Sequence, residues 1–113
     1  METESDSTQQ RIIELTIDGV LHRLLLADHP QAWQQGLMHY RELPQADGML
    51  FVFPFKDYHS FWNKNTFMDL DVYWVNEGAI VGIDFLPSIE KSGDIVNVQS
   101  PEPIDWVIEI VRK

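Results

Sequence analysis

The stretch Met49–Phe53, "MLFVF", is apolar at every position and decides the fold. A strand with one face in water alternates apolar and polar residues, whereas a strand covered on both faces reads as a continuous apolar run. Pro54 follows directly and stops the run, because proline has no backbone N–H to contribute to a sheet. The stretch therefore predicts a central strand in the middle of the core.

A hairpin is predicted upstream, where two β-rich runs between residues 12 and 26 flank Asp18 and Gly19. An Asp-Gly pair is typical of a two-residue type I′ turn, which needs positive φ at both central positions. A loop of this length fixes the register and places Glu14 opposite Arg23, where a cross-strand ion pair is expected.

A short helix is predicted between the hairpin and the central strand. Asp28 can cap its first turn, and Pro30 lies close to that turn, where a missing N–H costs nothing. Gly36 is available to end the helix.

Further strands are predicted on the carboxyl side, with turn residues between them. The alternation of "FMDLDVYWV" places Leu70, Val72 and Trp74 on one side, and "YHSFW" is expected to pair with the central strand. The last run, "IDWVIEIV", is expected to close the sheet. The fold class predicted is α+β and β-dominated, a small, mostly antiparallel curled sheet or barrel of six to seven strands with one short helix.

The totals limit the size and the partners of the chain. Its 113 residues suit one globular domain, predicted over residues 11–113, after a disordered acidic leader at residues 1–10. The formal net charge of −10 repels phosphate backbones, so no nucleic acid partner is expected. There is no cysteine and no apolar run of membrane-spanning length, so we expect no membrane insertion of the chain as given. The protein could be cytoplasmic or exported with a signal removed.

Three motifs together resemble a known family. They are "GLM" at Gly36–Met38, "GMLFVF" at Gly48–Phe53 and "FWNKNTFMDLDV" at Phe61–Val72. The family is domain of unknown function 192, whose members carry a GLM segment, a GMLF strand and a Phe-Trp-Met-Lys-Asn-Thr segment followed by Leu-Asp. The resemblance covers about residues 22–111 and implies a compact β-dominated domain without implying an activity.

Three departures from that family pattern bear on a site. The arginine that follows GLM comes one place late, at Arg41. Asn63 stands where methionine is usual and Asp69 where proline is common. The resemblance therefore implies a site that is more polar than those of the relatives.

The segment "NKNT", residues 63–66, is predicted to leave its strand as a turn, because asparagine tolerates left-handed backbone geometry and short polar side chains bond their own backbone. Such a turn would present Lys64 near Asp71. One interpretation of that pair is a salt bridge at the end of the sheet. The other is a pocket for a small polar or anionic ligand. The candidate ligand-binding residues are Trp62, Lys64, Asn65, Thr66, Asp71 and Arg41.

The leading hypothesis is a non-catalytic binding or accessory domain, whose partner is a small polar ligand or a protein. One alternative is a hydrolase-type enzyme that uses Asp69 or Asp71 with Lys64. Another is a structural module that binds a protein through an exposed sheet edge. The four histidines lack metal-ligand spacing, so neither a metal nor a cofactor is predicted.

Overall fold

A computed structural model of the chain describes residues 11–113, and the predicted leader lies outside them. The described part contains eight strands and two short helices. They are β1 (Ile12–Ile17), β2 (Val20–Ala27), α1 (Pro30–Gln35), β3 (Gly48–Asp57), β4 (Ser60–Trp62), β5 (Leu70–Asn76), β6 (Ala79–Leu86), α2 (Ile89–Ser92), β7 (Asn97–Gln99) and β8 (Ile104–Val111). Neither of these helices is long and apolar enough to cross a membrane.

Six strands form one mixed sheet in the order β1-β2-β3-β8-β5-β6, and β4 pairs with β7 in a separate two-stranded sheet. Every pairing is antiparallel except that of β2 with β3, because α1 and its following loop carry the chain back to the same end of the sheet. The large sheet is curled but not closed. The β-dominated, mostly antiparallel fold is confirmed, with a second helix of four residues that the sequence did not predict.

The hairpin of β1 and β2 has the predicted register. Asp18 and Gly19 both have positive φ, as a type I′ turn requires. Glu14 lies opposite Arg23, with 3.6 Å between the carboxylate Oε2 and the guanidinium Nη1. The ion pair is therefore present, although both side chains are more than half exposed.

The central position of β3 is also confirmed, since Met49, Leu50 and Phe51 are all buried. Two other predictions about strand order were wrong. The last strand, β8, does not close the sheet but lies inside it, between β3 and β5. The "YHSFW" strand does not pair with β3, whose neighbours are β2 and β8, but forms β4 and pairs with β7.

The helix α1 begins one residue later than predicted. His29 is its N-cap, with no capping hydrogen bond from a side chain, so the capping role expected for Asp28 was wrong. Gly36 ends the helix at a φ of 53°, as expected. The Trp33 indole Nε1 donates to the carbonyls of Ala27 and Val52, both at 3.1 Å. These bonds hold α1 over the end of β2 and over β3.

The sheet has a different apolar cluster on each face. The larger cluster lies beneath α1 and the small sheet and includes Phe51, Trp74 and Val107. The smaller cluster lies on the other face and includes Leu24, Leu50 and Ile108. Consecutive residues of β3 and β8 therefore enter different clusters, as the pleat of a strand requires. This alternation decides which side chains of β8 can face α1.

Candidate functional site

The predicted turn at residues 63–66 is present. Asn65 has a φ of 56°, in the left-handed region, and the Thr66 N–H donates to the Asn63 carbonyl at 3.0 Å. The Thr66 hydroxyl donates to the Lys64 carbonyl at 3.2 Å. The short polar side chains thus stabilise the turn locally, which is the physical reason that the sequence could predict it.

Asn63 serves the architecture of this turn rather than the polarity of a site. Its side chain is fully buried, and its Nδ2 donates to the carbonyls of Pro87 and Asp94 at 3.0 and 3.2 Å. Its Oδ1 accepts from the Val96 N–H at 2.8 Å. The amide therefore fastens the turn to the loop around α2, and its polar atoms are already used.

Lys64 and Asp71 form no ion pair with each other in the part of the chain that the structure describes, so the salt-bridge interpretation of this pair was wrong. Lys64 Nζ lies 5.2 Å from the ring centroid of Trp62. Asp71 Oδ1 accepts from Arg112 Nη2 at 2.7 Å. The physical reason is the order of the sheet, because β8 lies beside β5 and brings the arginine that follows β8 to the Asp71 end.

Asp69 and Arg41 are likewise engaged with other side chains. Asp69 accepts from the Ser88 N–H at 2.8 Å, and this bond, together with Lys91, lowers the pKa of its carboxyl. The Nη1 and Nη2 atoms of Arg41 donate to the Oε1 and Oε2 atoms of Glu90, at 3.1 and 3.0 Å. This ion pair raises the pKa of Arg41 and lowers the pKa of Glu90.

Three of the six predicted site residues line one of two hollows. Trp62 and Thr66 line a cavity of about 260 Å³ under α1. Arg41 lines a second hollow of about 340 Å³ at the other end of the sheet, where the basic groups that it contains are paired with acids. Lys64, Asn65 and Asp71 line neither. Trp62 and Thr66 thus line one hollow and Arg41 lines the other.

The first hollow, which we name the Glu109 cavity, lies between α1 with its following loop, the strand β4 and the large sheet. Its walls are mainly aromatic and aliphatic, and a few polar side chains interrupt them. The lining residues that matter for its chemistry are Trp33, Phe53, His59, Phe61, Thr66 and Glu109.

Glu109 is the residue that the sequence reasoning missed. It lies on β8 between Met49 of β3 and Val72 of β5, and it is only 3% exposed. Its side chain makes no hydrogen bond or ion pair with any residue from 11 to 113. Burial raises the pKa of its carboxyl to about 8, so the group is mostly neutral at pH 7. The available signal was a single acid within the otherwise apolar run "WVIEIV".

His59 is the second titratable residue of the Glu109 cavity. Its ring stacks on Phe53, with 3.8 Å between centroids and 13° between planes. Burial lowers the pKa of the imidazole, with a smaller opposing effect of Asp57, so the ring is neutral at pH 7. Its Nε2 is buried and has no hydrogen-bond partner among the described residues. Two polar groups of this cavity, on Glu109 and His59, are thus left without partners in the described range 11–113.

Comparisons with known proteins agree with the motifs. The chain is similar to a "putative transcription regulator" from Sinorhizobium meliloti 1021, with a TM-score of 0.69 and 32% identity over 90% of this chain and 79% of that chain. A protein of unknown function from Novosphingobium aromaticivorans DSM 12444 has a similar fold, with a TM-score of 0.65 and 22% identity over 98% of this chain and 86% of that one. No curated protein matches. The family model described as "Uncharacterized ACR" matches residues 13–113, so the chain belongs to the domain of unknown function 192 family.

Proposed function

We propose that the protein is a binding domain that takes a small polar ligand in the Glu109 cavity. The single observation that carries the proposal is the buried carboxyl group of Glu109, which lines a cavity and has no partner in the described part of the chain. Binding pockets combine mostly apolar walls with a few convergent polar groups, and small ligands need little volume. A cavity of about 260 Å³ suits a ligand of this kind.

The energetics of Glu109 favour a ligand over a packing role. A buried polar group without a hydrogen bond costs free energy, about 1–3 kcal/mol on the scale of protein mutations. An aliphatic side chain would fill the same position between Met49 and Val72 without that cost. A bound molecule that hydrogen-bonds to Glu109 would offset the cost, which gives the carboxyl a reason to be there.

The residues around the cavity narrow the kind of ligand. No lysine or arginine of residues 11–113 lines the Glu109 cavity, and the basic candidates Lys64 and Arg41 lie elsewhere. This supports a polar ligand over an anionic one. The relative from Sinorhizobium meliloti is described as a transcription regulator, but a net charge of −10 opposes direct contact with nucleic acid. A ligand-binding role is compatible with both observations.

A ligand screen by protein NMR tests the proposal. We expect small polar molecules that bind to shift the backbone amides of Thr66 and Glu109 and the indole N–H of Trp33. The Glu109→Gln variant should weaken this binding at least tenfold. Glu42→Gln is the matched control, because Glu42 is exposed and lies outside this cavity. Hits whose shifts avoid the cavity, or that bind Glu109→Gln as well as wild type, would refute the proposal.

A catalytic role is the second candidate, and Glu109 favours it too. A carboxylic acid with a raised pKa in a cavity is a typical general acid, and the neutral His59 lines the same cavity. The hydrolase centred on Asp69 and Asp71 gains no such support, since both carboxylates are held by basic side chains. Turnover of a bound ester or amide that Glu109→Gln abolishes without loss of binding would establish catalysis.

A further inference from the structure

We infer that the ligand of the Glu109 cavity is a small organic cation, a protonated amine or a quaternary ammonium, held by the buried carboxylate and the aromatic walls. This inference rests on the proposed function and names the chemical class that the same site takes. The inference follows from the charge of the wall, from its aromatic surface and from the hydrogen-bond acceptors that the wall offers.

The charge of the wall favours a cation. Glu109 is the one carboxyl group that lines the cavity, and no lysine or arginine of residues 11–113 lines it with Glu109. His59 adds no positive charge at neutral pH, because burial lowers its pKa. The net charge of −10 also raises the local concentration of cations around the protein. An anion would find no lysine or arginine of residues 11–113 in this wall to neutralise its charge.

The aromatic walls offer π surface to a ligand. Trp33, Phe53, Phe61 and Trp62 line the cavity, and the indole N–H of Trp33 is already bonded to two backbone carbonyls. The remaining surface of Trp33 is therefore hydrocarbon and π face, which attracts cations through the ring quadrupole. The combination of aromatic rings with one carboxylate is suited to an ammonium group.

The wall also offers hydrogen-bond acceptors to an ammonium group, beside the side chains of Gln34, Gln35 and Ser60, which can donate as well as accept. The Thr66 hydroxyl donates its proton to the Lys64 carbonyl, so its oxygen is left to accept. The ionised Glu109 carboxyl would add two accepting oxygens. A metal ion fits less well, because no three His, Cys, Asp or Glu side chains of the described chain lie close enough together to hold one. An ammonium N–H, by contrast, needs only one or two acceptors.

Binding of a cation would be coupled to release of a proton. The strand neighbours of Glu109, Met49 and Val72, are uncharged, and His59 is the other titratable group that lines the cavity. In the free protein the pKa of Glu109 is about 8, so at pH 7 a cation would bind as the carboxyl ionises. The affinity for a cation should therefore rise about tenfold per pH unit below pH 8 and level off above it.

Three matched probes test the inference: butylammonium, 1-butanol and butyrate, which share the alkyl chain and differ in charge. We expect butylammonium to shift the amides around Glu109 in NMR spectra and to bind at least tenfold more tightly than the other two. The Glu109→Gln variant should lose this preference, and Glu42→Gln should keep it. Tighter binding of 1-butanol or butyrate in the cavity would overturn the inference that the ligand is a cation. The proposed function as a binding domain would still stand.

Absence of binding by all three probes at the cavity would overturn both the inference of a cationic ligand and the proposed function. If Glu109→Gln does not fold, the pH profile of the wild-type protein decides. An affinity for butylammonium that rises about tenfold from pH 6.5 to pH 7.5 supports the inference. An affinity that stays constant or falls over the same interval contradicts it, because ionisation of Glu109 would then not accompany binding.

Discussion

Replacement of Glu109 by glutamine should stabilise the protein by an amount that depends on pH. In the unfolded chain a glutamate ionises with its ordinary pKa of 4.5, whereas burial raises the pKa of Glu109 to about 8 in the fold. Between these values the unfolded state gains a charge that the folded state cannot hold. Stability is therefore complete below the lower pKa and falls as the pH rises towards the higher one.

The magnitude follows from the two pKa values. Their difference is about 3.5, and each pH unit corresponds to 1.36 kcal/mol, so the full penalty is about 5 kcal/mol. At pH 7 the penalty is about 3 kcal/mol, because the interval from 4.5 to 7 is about 2.5 units. Glutamine has nearly the same shape as glutamic acid and does not ionise. Its advantage over wild type should thus be near zero at pH 4.5 and largest above pH 8.

Urea unfolding across this pH range measures the effect. The four tryptophans, of which Trp74 is fully buried, report unfolding by fluorescence. Groups that titrate identically in both proteins cancel in the difference between their unfolding free energies. Glu42→Gln, an exposed change of the same kind, should show no such trend. A difference between Glu109→Gln and wild type that stays constant from pH 5 to pH 8 would refute the burial argument.

Three further predictions concern packing and pairing. Gly48→Ala should destabilise the protein by about 3 kcal/mol or more in urea unfolding, since a Cβ at Gly48 would overlap the backbone carbonyl of the neighbouring strand β8. Asn63→Ala should cost about 2–4 kcal/mol in the same assay, because it removes a fully buried amide that bonds to the Pro87 and Asp94 carbonyls and to the Val96 N–H. A double-mutant cycle should give Asp71 and Arg112 a coupling of up to about 1 kcal/mol and Asp71 and Lys64 none.

Each of these predictions has a matched control. Gly78→Ala meets no atom within 4 Å and should cost only the roughly 1–2 kcal/mol of a left-handed residue with a side chain. Asn65→Gly keeps the positive φ of the exposed turn and should be nearly neutral. Equal costs for the two glycine variants would count against the strand contact, and a mild Asn63→Ala would count against its bonding role. Coupling between Asp71 and Lys64 would restore the salt bridge predicted from the sequence.

Several features of the fold could be predicted from the sequence because their causes are local. The Asp18-Gly19 pair determines a turn and with it the register of β1 on β2. The unbroken apolar run of β3 determines that both of its faces are covered. The turn at Asn65 depends on one residue that tolerates positive φ and on bonds within four residues. None of these requires knowledge of a distant partner.

The site depended on pairings that the sequence alone did not determine. Alternation along β8 showed which residues share a face, but only the position of β8 between β3 and β5 buries Glu109. Asp71 forms an ion pair with Arg112, which is 41 residues away in the sequence, rather than with Lys64, which is closer in the sequence. Turn and strand signals act over a few residues, whereas the choice of neighbouring strands is made by the packing of the whole chain. That long-range packing decided which charged groups form ion pairs, and it placed the Glu109 carboxyl beside a cavity without a partner among residues 11–113.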